Sequence, residues 1–338
     1  MNIQTNFSLK NHNTFGVNIN CKTFVTLNSE EDSINFIQHN LDKTLPYFII
    51  GEGSNLLFTK DFDGTIIQMQ NKGFKIVDEN NKYVWIKAAA GEKWDDFVAW
   101  SVEKKYAGAE NLSKIPGTIG AAPIQNIGAY GVELSEIFNA LEAVEITSGK
   151  LKRFYLKELK FGYRDSIFKQ KLKNKYIITT VILKLNKFPF FKIDYGNIKS
   201  ELETMTYENL NIAVIRQAVI NIRTSKLPET NELGNAGSFF KNPIVDNDKH
   251  LSLKKSFPNL VSYDLKNGTY KLAAGWLIDN AGLKGYSKGK VAIHKNQALI
   301  IVNLGGAGGK EILKFSEEIQ DKVQNLFGVK LEREVNVI

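Results

Sequence analysis

The first half of the chain alternates between two hydrophobic periods. KTFVTL (22–27) has the apolar pattern of a strand, and SEEDSINFIQHNL (29–41) has helical spacing behind a Ser/Glu capping signal. LPYFII (45–50) reads as a buried strand that runs directly into GEGSNLL (51–57). GTIIQMQ and YVWIKAAA predict two more strands, and EKWDDFVAWSVEKK predicts a helix. A long stretch rich in Gly, Pro and Asn follows from Tyr106 to Gly131, before strands resume at LEAVEIT and YIITTVILKL. After Phe188-Pro189 the pattern changes: NIKSELETM and NLNIAVIRQAVINIRTSK are helical, and GNAGSFFKNP (234–243) is rich in turn formers. QALIIVN reads as a strand, KEILKFSEEIQDKVQNLF as an amphipathic helix and KLEREVNVI as a closing strand. The pattern as a whole is α+β, with a boundary placed after residue 189.

Composition narrows the class without deciding it. At 338 residues, with 43% hydrophobic and 24% charged positions, the chain has the makeup of an ordinary globular protein of about two domains. The single cysteine, Cys21, excludes an internal disulfide, and four scattered histidines offer no cluster at metal-ligand spacing, so no metal is expected. No apolar run reaches the length of a membrane span and the N-terminus lacks a signal-peptide core, so a cytoplasmic protein is expected. The net charge of +8 raises the question of nucleic acid, but the basic residues are dispersed and only five are arginines, so none is expected. An anionic small molecule remains compatible with that charge.

Two loops carry the candidate chemistry. In GEGSNLL, Gly51 and Gly53 permit backbone conformations that aim successive N–H groups at one point, a nest suited to a diphosphate; a strand-connecting turn is the competing reading. IPGTIGAAPIQNIGAYG gathers Gly117, Gly120, Gly128 and Gly131 with amide side chains, which would let a flat cofactor approach the backbone. A structural loop is the alternative there. Arg164, in FGYRDSIFK, is conspicuous where arginine is scarce; an ion pair with Asp165 is its plainer explanation.

Taken in order, GEGSNLL, IPGTIGAAPIQNIGAYG, FGYRDSIFK and GNAGSFFKNP resemble the UDP-N-acetylenolpyruvoylglucosamine reductases of bacterial cell-wall synthesis, in the longer class with a mobile tyrosine loop. The resemblance implies an FAD-binding fold of the vanillyl-alcohol oxidase / p-cresol methylhydroxylase type in residues 1–189, with lobes of about 1–58 and 59–189. An α+β substrate-binding region would occupy 190–338, its last strand, 330–338, returning to the flavin. It further implies FAD as cofactor, NADPH as hydride donor, UDP-N-acetylglucosamine enolpyruvate as substrate, and a monomer.

Residue by residue, the resemblance assigns catalysis to Arg164, Ser238 and Glu334. Arg164 would steady a carboxylate whose charge grows, Ser238 would protonate carbon, and Glu334 would assist that transfer. Flavin contacts fall on Gly51, Glu52, Gly53, Ser54, Asn55 and Leu56, and on Pro116, Gly117, Thr118, Gly120, Ala121, Gln125, Asn126, Gly128, Ala129 and Tyr130. Substrate contacts fall on Tyr163, Tyr195, Lys226, Asn242 and Gln297.

Overall fold

The computed structural model describes residues 1–338, which pack as two compact units interleaved along the chain. The first comprises residues 1–7, 21–52 and 62–225; the second comprises 8–20, 53–61 and 226–338. The cut therefore falls after residue 225, not 189, because the helices Ile198–Thr204 and Ile212–Lys226 bury Ile198, Leu202, Ile215, Val219 and Ile222 in a cluster that also takes in Tyr130. Two excursions, 8–20 and 53–61, leave the first unit to join the second.

In the first unit, strands Asn20–Leu27 and Tyr47–Ile50 flank Phe62–Met69 in parallel, with Asn2–Ser8 at the edge. A second, antiparallel sheet runs in the order Leu151–Tyr155, Phe138–Glu145, Tyr176–Asn186, Tyr83–Ala89, Phe74–Glu79. Helices Glu30–His39 and Trp94–Glu103 complete one core in which Phe36, Ile37, Trp94, Phe97 and Val98 meet Val25, Ile67, Ile86, Leu141 and Leu183. Ser29 caps the first helix as its sequence predicts, accepting from the Asp32 amide at 3.0 Å. Alternating burial along Tyr83–Ala89 matches a strand with one face on that core.

The second unit pairs Gly234–Ser238, Ile300–Asn303, Val291–Ile293 and Ser287–Lys288 in one sheet. The helix Gly309–Phe327 buries Ile312, Phe315, Ile319, Val323 and Phe327, a stripe at helical spacing. Each such side chain contributes about 1.5–3 kcal/mol of burial before entropy is charged against it. Gly309 cannot be larger, since a Cβ there would lie 1.8 Å from the Phe58 carbonyl oxygen. A small sheet of Ile244–Asp246, Thr269–Leu272 and Ser262–Asp264 lies in the same unit.

Two sequence expectations change. GNAGSFFKNP is not all turn: Gly234–Ser238 is a bulged strand, because its backbone pairs with Ile300–Asn303 although its composition lacks strand formers. KLEREVNVI is mostly irregular, and only Asn336–Val337 forms a strand, paired in parallel with the equally short Leu56–Leu57. No helix is long and apolar enough to cross a membrane.

Candidate active site

The strand Tyr47–Ile50 ends where Gln68 donates to the Gly51 carbonyl at 2.6 Å. Beyond it, the Glu52 carboxylate accepts from the Gly117 amide at 3.0 Å, which fastens the first glycine loop to the second. The approach is close: a Cβ on Gly51 would lie 2.7 Å from Thr118 Oγ1. The second loop is in turn stitched to residues 90–94 by Trp94 N–H to Gly117 O, Ile119 N–H to Glu92 O and Gly120 N–H to Ala90 O, at 2.8–2.9 Å. Gly120 is there because Ala90 is, its Cβ only 2.8 Å from where a Gly120 Cβ would stand. Several of the loop glycines thus serve packing between backbone segments, as the structural reading held.

Other features fit a cofactor. The Glu52 and Thr118 amides, on the two loops these contacts join, donate to no backbone carbonyl. N–H groups without a backbone acceptor are the kind of donor that a diphosphate requires. Gly53 holds φ +70° and would strike the His12 carbonyl if it carried a side chain. The Leu56 side chain is buried and its backbone pairs with Asn336.

The far end of the second loop is a hairpin of Gly128–Ala129 and Val132–Glu133. Tyr130 and Gly131 form its two-residue turn with φ +50° and +79°, the double left-handed geometry that matches strand twist. Tyrosine is an unusual occupant of such a turn. Asn111 donates to the Tyr130 carbonyl at 2.9 Å and to the Lys192 carbonyl at 2.8 Å, and the Arg223 guanidinium is near enough to the Tyr130 phenol to act on it electrostatically. Burial pushes the Tyr130 phenol above its ordinary value, an effect Arg223 only partly offsets. Tyr195 lies against this turn, its Cβ 3.0 Å from the Cβ position of Gly131.

Arg164 reaches the same hairpin. Its Nη2 donates to the Gly128 carbonyl at 2.5 Å, and a Cβ on Gly128 would stand 2.9 Å from Nη1, so glycine makes room for the guanidinium. The Tyr163 ring lies 5.3 Å from the guanidinium carbon. The Asp165 carboxylate accepts from the Ser166 amide at 2.9 Å and from Gln170. Arg164 itself has φ +54°, a conformation that costs a non-glycine residue about 1–2 kcal/mol.

In the second unit, backbone bonds lay the C-terminal segment alongside residues 239–241: Glu334 N–H to Phe239 O and Lys241 N–H to Glu332 O, both 2.9 Å. They bring Glu334 beside exposed Ser238, which ends its strand next to Gly237 at φ +67°. Asn55 joins the pair by donating to the Glu334 carbonyl at 3.3 Å while its own carbonyl accepts from the Asn336 amide at 3.1 Å. Asn242 and Gln297 also converge. Asn242 Oδ1 accepts from the Ala274 amide at 2.9 Å, and Gln297 Oε1 lies 3.3 Å from the Cβ position of Gly275. Of the expected residues, Arg164, Tyr163, Tyr195 and the second glycine loop thus belong to the first unit, and Ser238, Glu334, Lys226, Asn242 and Gln297 to the second.

Sequence reasoning missed Asn111, Ser166 and Arg223. Asn111 and Ser166 are almost fully buried, yet nothing in GAENLSK or RDSIFK distinguishes them from turn residues. Arg223 carried one available signal, as one of only five arginines, set in a helix whose neighbouring Ile222 faces the core.

Comparison with known proteins accounts for both parts of this arrangement. An FAD binding domain family matches residues 21–155, and the C-terminal domain family of UDP-N-acetylenolpyruvoylglucosamine reductase matches residues 228–338. The chain is 47% identical to the UDP-N-acetylenolpyruvoylglucosamine reductase of Amoebophilus asiaticus over the whole of both chains. It is 43% identical to that of Pseudomonas aeruginosa, over all of this chain and 99% of the relative. Among solved structures it is similar to the UDP-N-acetylenolpyruvylglucosamine reductase of Thermus caldophilus, with a TM-score of 0.68 and 25% identity over 99% of this chain and 98% of the other. A solvent-stable cholesterol oxidase, 11% identical with a TM-score of 0.51 over 98% of this chain and 86% of that one, shares the fold. The flavin-binding part therefore has the vanillyl-alcohol oxidase / p-cresol methylhydroxylase type of fold, and the chain belongs to the UDP-N-acetylenolpyruvoylglucosamine reductase family, FAD-dependent oxidoreductases that use NADPH in the synthesis of peptidoglycan precursors.

Proposed function

We propose that this chain reduces UDP-N-acetylglucosamine enolpyruvate to UDP-N-acetylmuramate with Arg164, Ser238 and Glu334 in the catalytic roles. The observation that carries the reading is the backbone bond from Glu334 to the Phe239 carbonyl, which lays the segment bearing Glu334 alongside the residue that follows Ser238. The two glycine loops would hold FAD, with the amides of Glu52 and Thr118 available to its diphosphate. Bound there, FAD supplies the hydride relay from NADPH to the terminal carbon of the enolpyruvyl double bond.

Hydride addition at that carbon leaves an electron pair on its neighbour, delocalised into the attached carboxylate. The Arg164 guanidinium, its direction fixed by the Gly128 carbonyl, opposes that growing charge. Ser238 donates its hydroxyl proton to the carbon, and Glu334 assists that transfer and returns a proton to the hydroxyl. Asn242 and Gln297 present amides for polar groups of the UDP-sugar, Lys226 answers diphosphate charge, and Tyr195 closes over the substrate. The enzyme acts as a cytoplasmic monomer in this reading. Burial pushes the Cys21 thiol up to about 11, so it stays protonated and unreactive at neutral pH.

The test is stopped-flow spectroscopy of the FAD-loaded protein, with NADPH to bleach the flavin and UDP-N-acetylglucosamine enolpyruvate to restore its colour. Ser238→Ala should bleach at the wild-type rate and recover roughly 100-fold or more slowly. Recovery at an unchanged rate would remove Ser238 from the mechanism. Oxidation of an alcohol in place of enol-ether reduction would mark a different flavoenzyme of the same fold.

A further inference from the structure

Resting on that role for Arg164, we infer that Ser166 and Asn126 form a two-point clasp that sets the arginine's direction, making both of them positioning residues for the reduction. The clasp is symmetric about Arg164. Two residues before it, the Gly162 carbonyl accepts from Asn126 Nδ2 at 3.1 Å; two residues after it, Ser166 Oγ donates to the Ile124 carbonyl at 2.7 Å. Each side of the contact thus lends a side chain to the other's backbone, and both Asn126 and Ser166 are 1% exposed.

Between these points the chain makes a tight turn, closed by Gly162 N–H to Asp165 O at 3.0 Å and Asp165 N–H to Gly162 O at 3.2 Å. Arg164 sits inside it at φ +54°. A non-glycine residue holds that conformation only where its surroundings over-determine it, and here the clasp does so. The Asn126 amide has no donor to spare. Its second N–H goes to Glu133 Oε2 at 2.7 Å, and its Oδ1 accepts from the Ser135 amide at 3.0 Å. Both N–H donors of this side chain are therefore spent within the protein. Ser166 is likewise committed, since Oγ also accepts from the Phe168 amide at 3.2 Å.

The guanidinium at the far end of Arg164 is anchored on the hairpin by the Gly128 carbonyl, four residues on from Ile124. With the clasp intact, backbone and head group are both tied to the same loop, so the arginine is aimed before substrate arrives. Releasing the backbone end at Ser166 would let the turn relax away from φ +54° and swing the guanidinium. Positional errors of this size are felt in the step that needs the arginine and not in steps that do not.

The experiment is a double-mutant cycle on the FAD-loaded protein, reading NADPH-driven flavin reduction and substrate-driven reoxidation separately. Ser166→Ala should slow reoxidation roughly ten-fold and leave reduction within about two-fold. Asn126→Ala, which removes the other end of the clasp together with the bonds to Glu133 and the Ser135 amide, should slow reoxidation by at least as much. In an Arg164→Ala background the effect of Ser166→Ala on reoxidation should shrink to less than about two-fold, because a residue acting through Arg164 has nothing left to aim. An equal loss with and without Arg164, or equal slowing of both half-reactions, would show a general structural role and overturn the clasp. If Arg164→Ala slows reoxidation while Ser166→Ala and Asn126→Ala do not, the clasp alone is wrong. If Arg164→Ala itself reoxidises normally, the role given to Arg164 is what fails.

Discussion

Gly51→Ala isolates the contact between the two glycine loops. The new methyl would stand 2.7 Å from Thr118 Oγ1, 3.3 Å from Ala121 Cβ and 3.6 Å from Thr118 Cβ. The φ of Gly51 lies outside the left-handed region, so alanine is admissible as backbone and gains about 0.4–1 kcal/mol by restricting the unfolded chain. Thr118 is β-branched and stiff at χ1, so its hydroxyl yields only if the loop moves. Overpacking of this kind costs about 1–3 kcal/mol, which exceeds the backbone gain. If the displaced loop is a wall of the flavin site, FAD binding should weaken roughly 5- to 150-fold, the same energy expressed as a dissociation constant. Fluorescence titration of apoprotein with FAD measures it. Thr118→Ala deletes the atom at 2.7 Å and leaves 3.3 Å as the closest approach, so the cost of Gly51→Ala should largely vanish in that background. Unchanged FAD affinity in Gly51→Ala would refute the placement of the flavin at this junction. The same cost in both backgrounds would refute the contact as its cause.

Asn111→Ala removes both bonds that tie the Tyr130 turn to Lys192 and the segment leading to Tyr195. It should destabilise by about 2–3 kcal/mol in urea unfolding and raise KM for the UDP-sugar more than KM for NADPH, whereas equal changes would argue against a tyrosine-loop role. Glu110 is buried, and burial pushes its carboxyl above the ordinary range although it accepts from the Gly108 amide at 2.6 Å. Because the folded value is the higher one, the ionised group costs stability. Relative to Glu110→Gln, the wild type should lose stability as pH rises from about 4.5 through the raised value and hold level beyond it, as measured by denaturation midpoints across pH. A pH-independent difference would show that no such shift exists.

Hydrophobic periodicity located the helices Glu30–His39, Trp94–Glu103 and Gly309–Phe327 and the strands Asn20–Leu27, Tyr83–Ala89 and Tyr176–Asn186, because each carries its burial pattern in its own residues. The strand Gly234–Ser238 carries no such pattern. It exists because Ile300–Asn303 offers a partner, and partner choice is not a local property. The two-residue strands Leu56–Leu57 and Asn336–Val337 are likewise made only by meeting each other across nearly the whole chain.

The glycine loops and Arg164 stood out in the sequence because rare residue types in dense array are themselves a signal, and the ordered motifs gave the family. What the glycines are for was decided by tertiary structure. Gly51 faces Thr118, Gly120 faces Ala90 and Gly128 faces Arg164, close approaches between segments whose spacing in sequence says nothing of distance. The fixing of Arg164 was equally invisible, since Asn126 and Ser166 read as ordinary turn formers until their side chains were seen crossing to each other's backbone. Residue chemistry thus determined which groups are available, a basic fork, a hydroxyl and flexible glycines, and the long-range hydrogen bonds decided which of them are held in position to act.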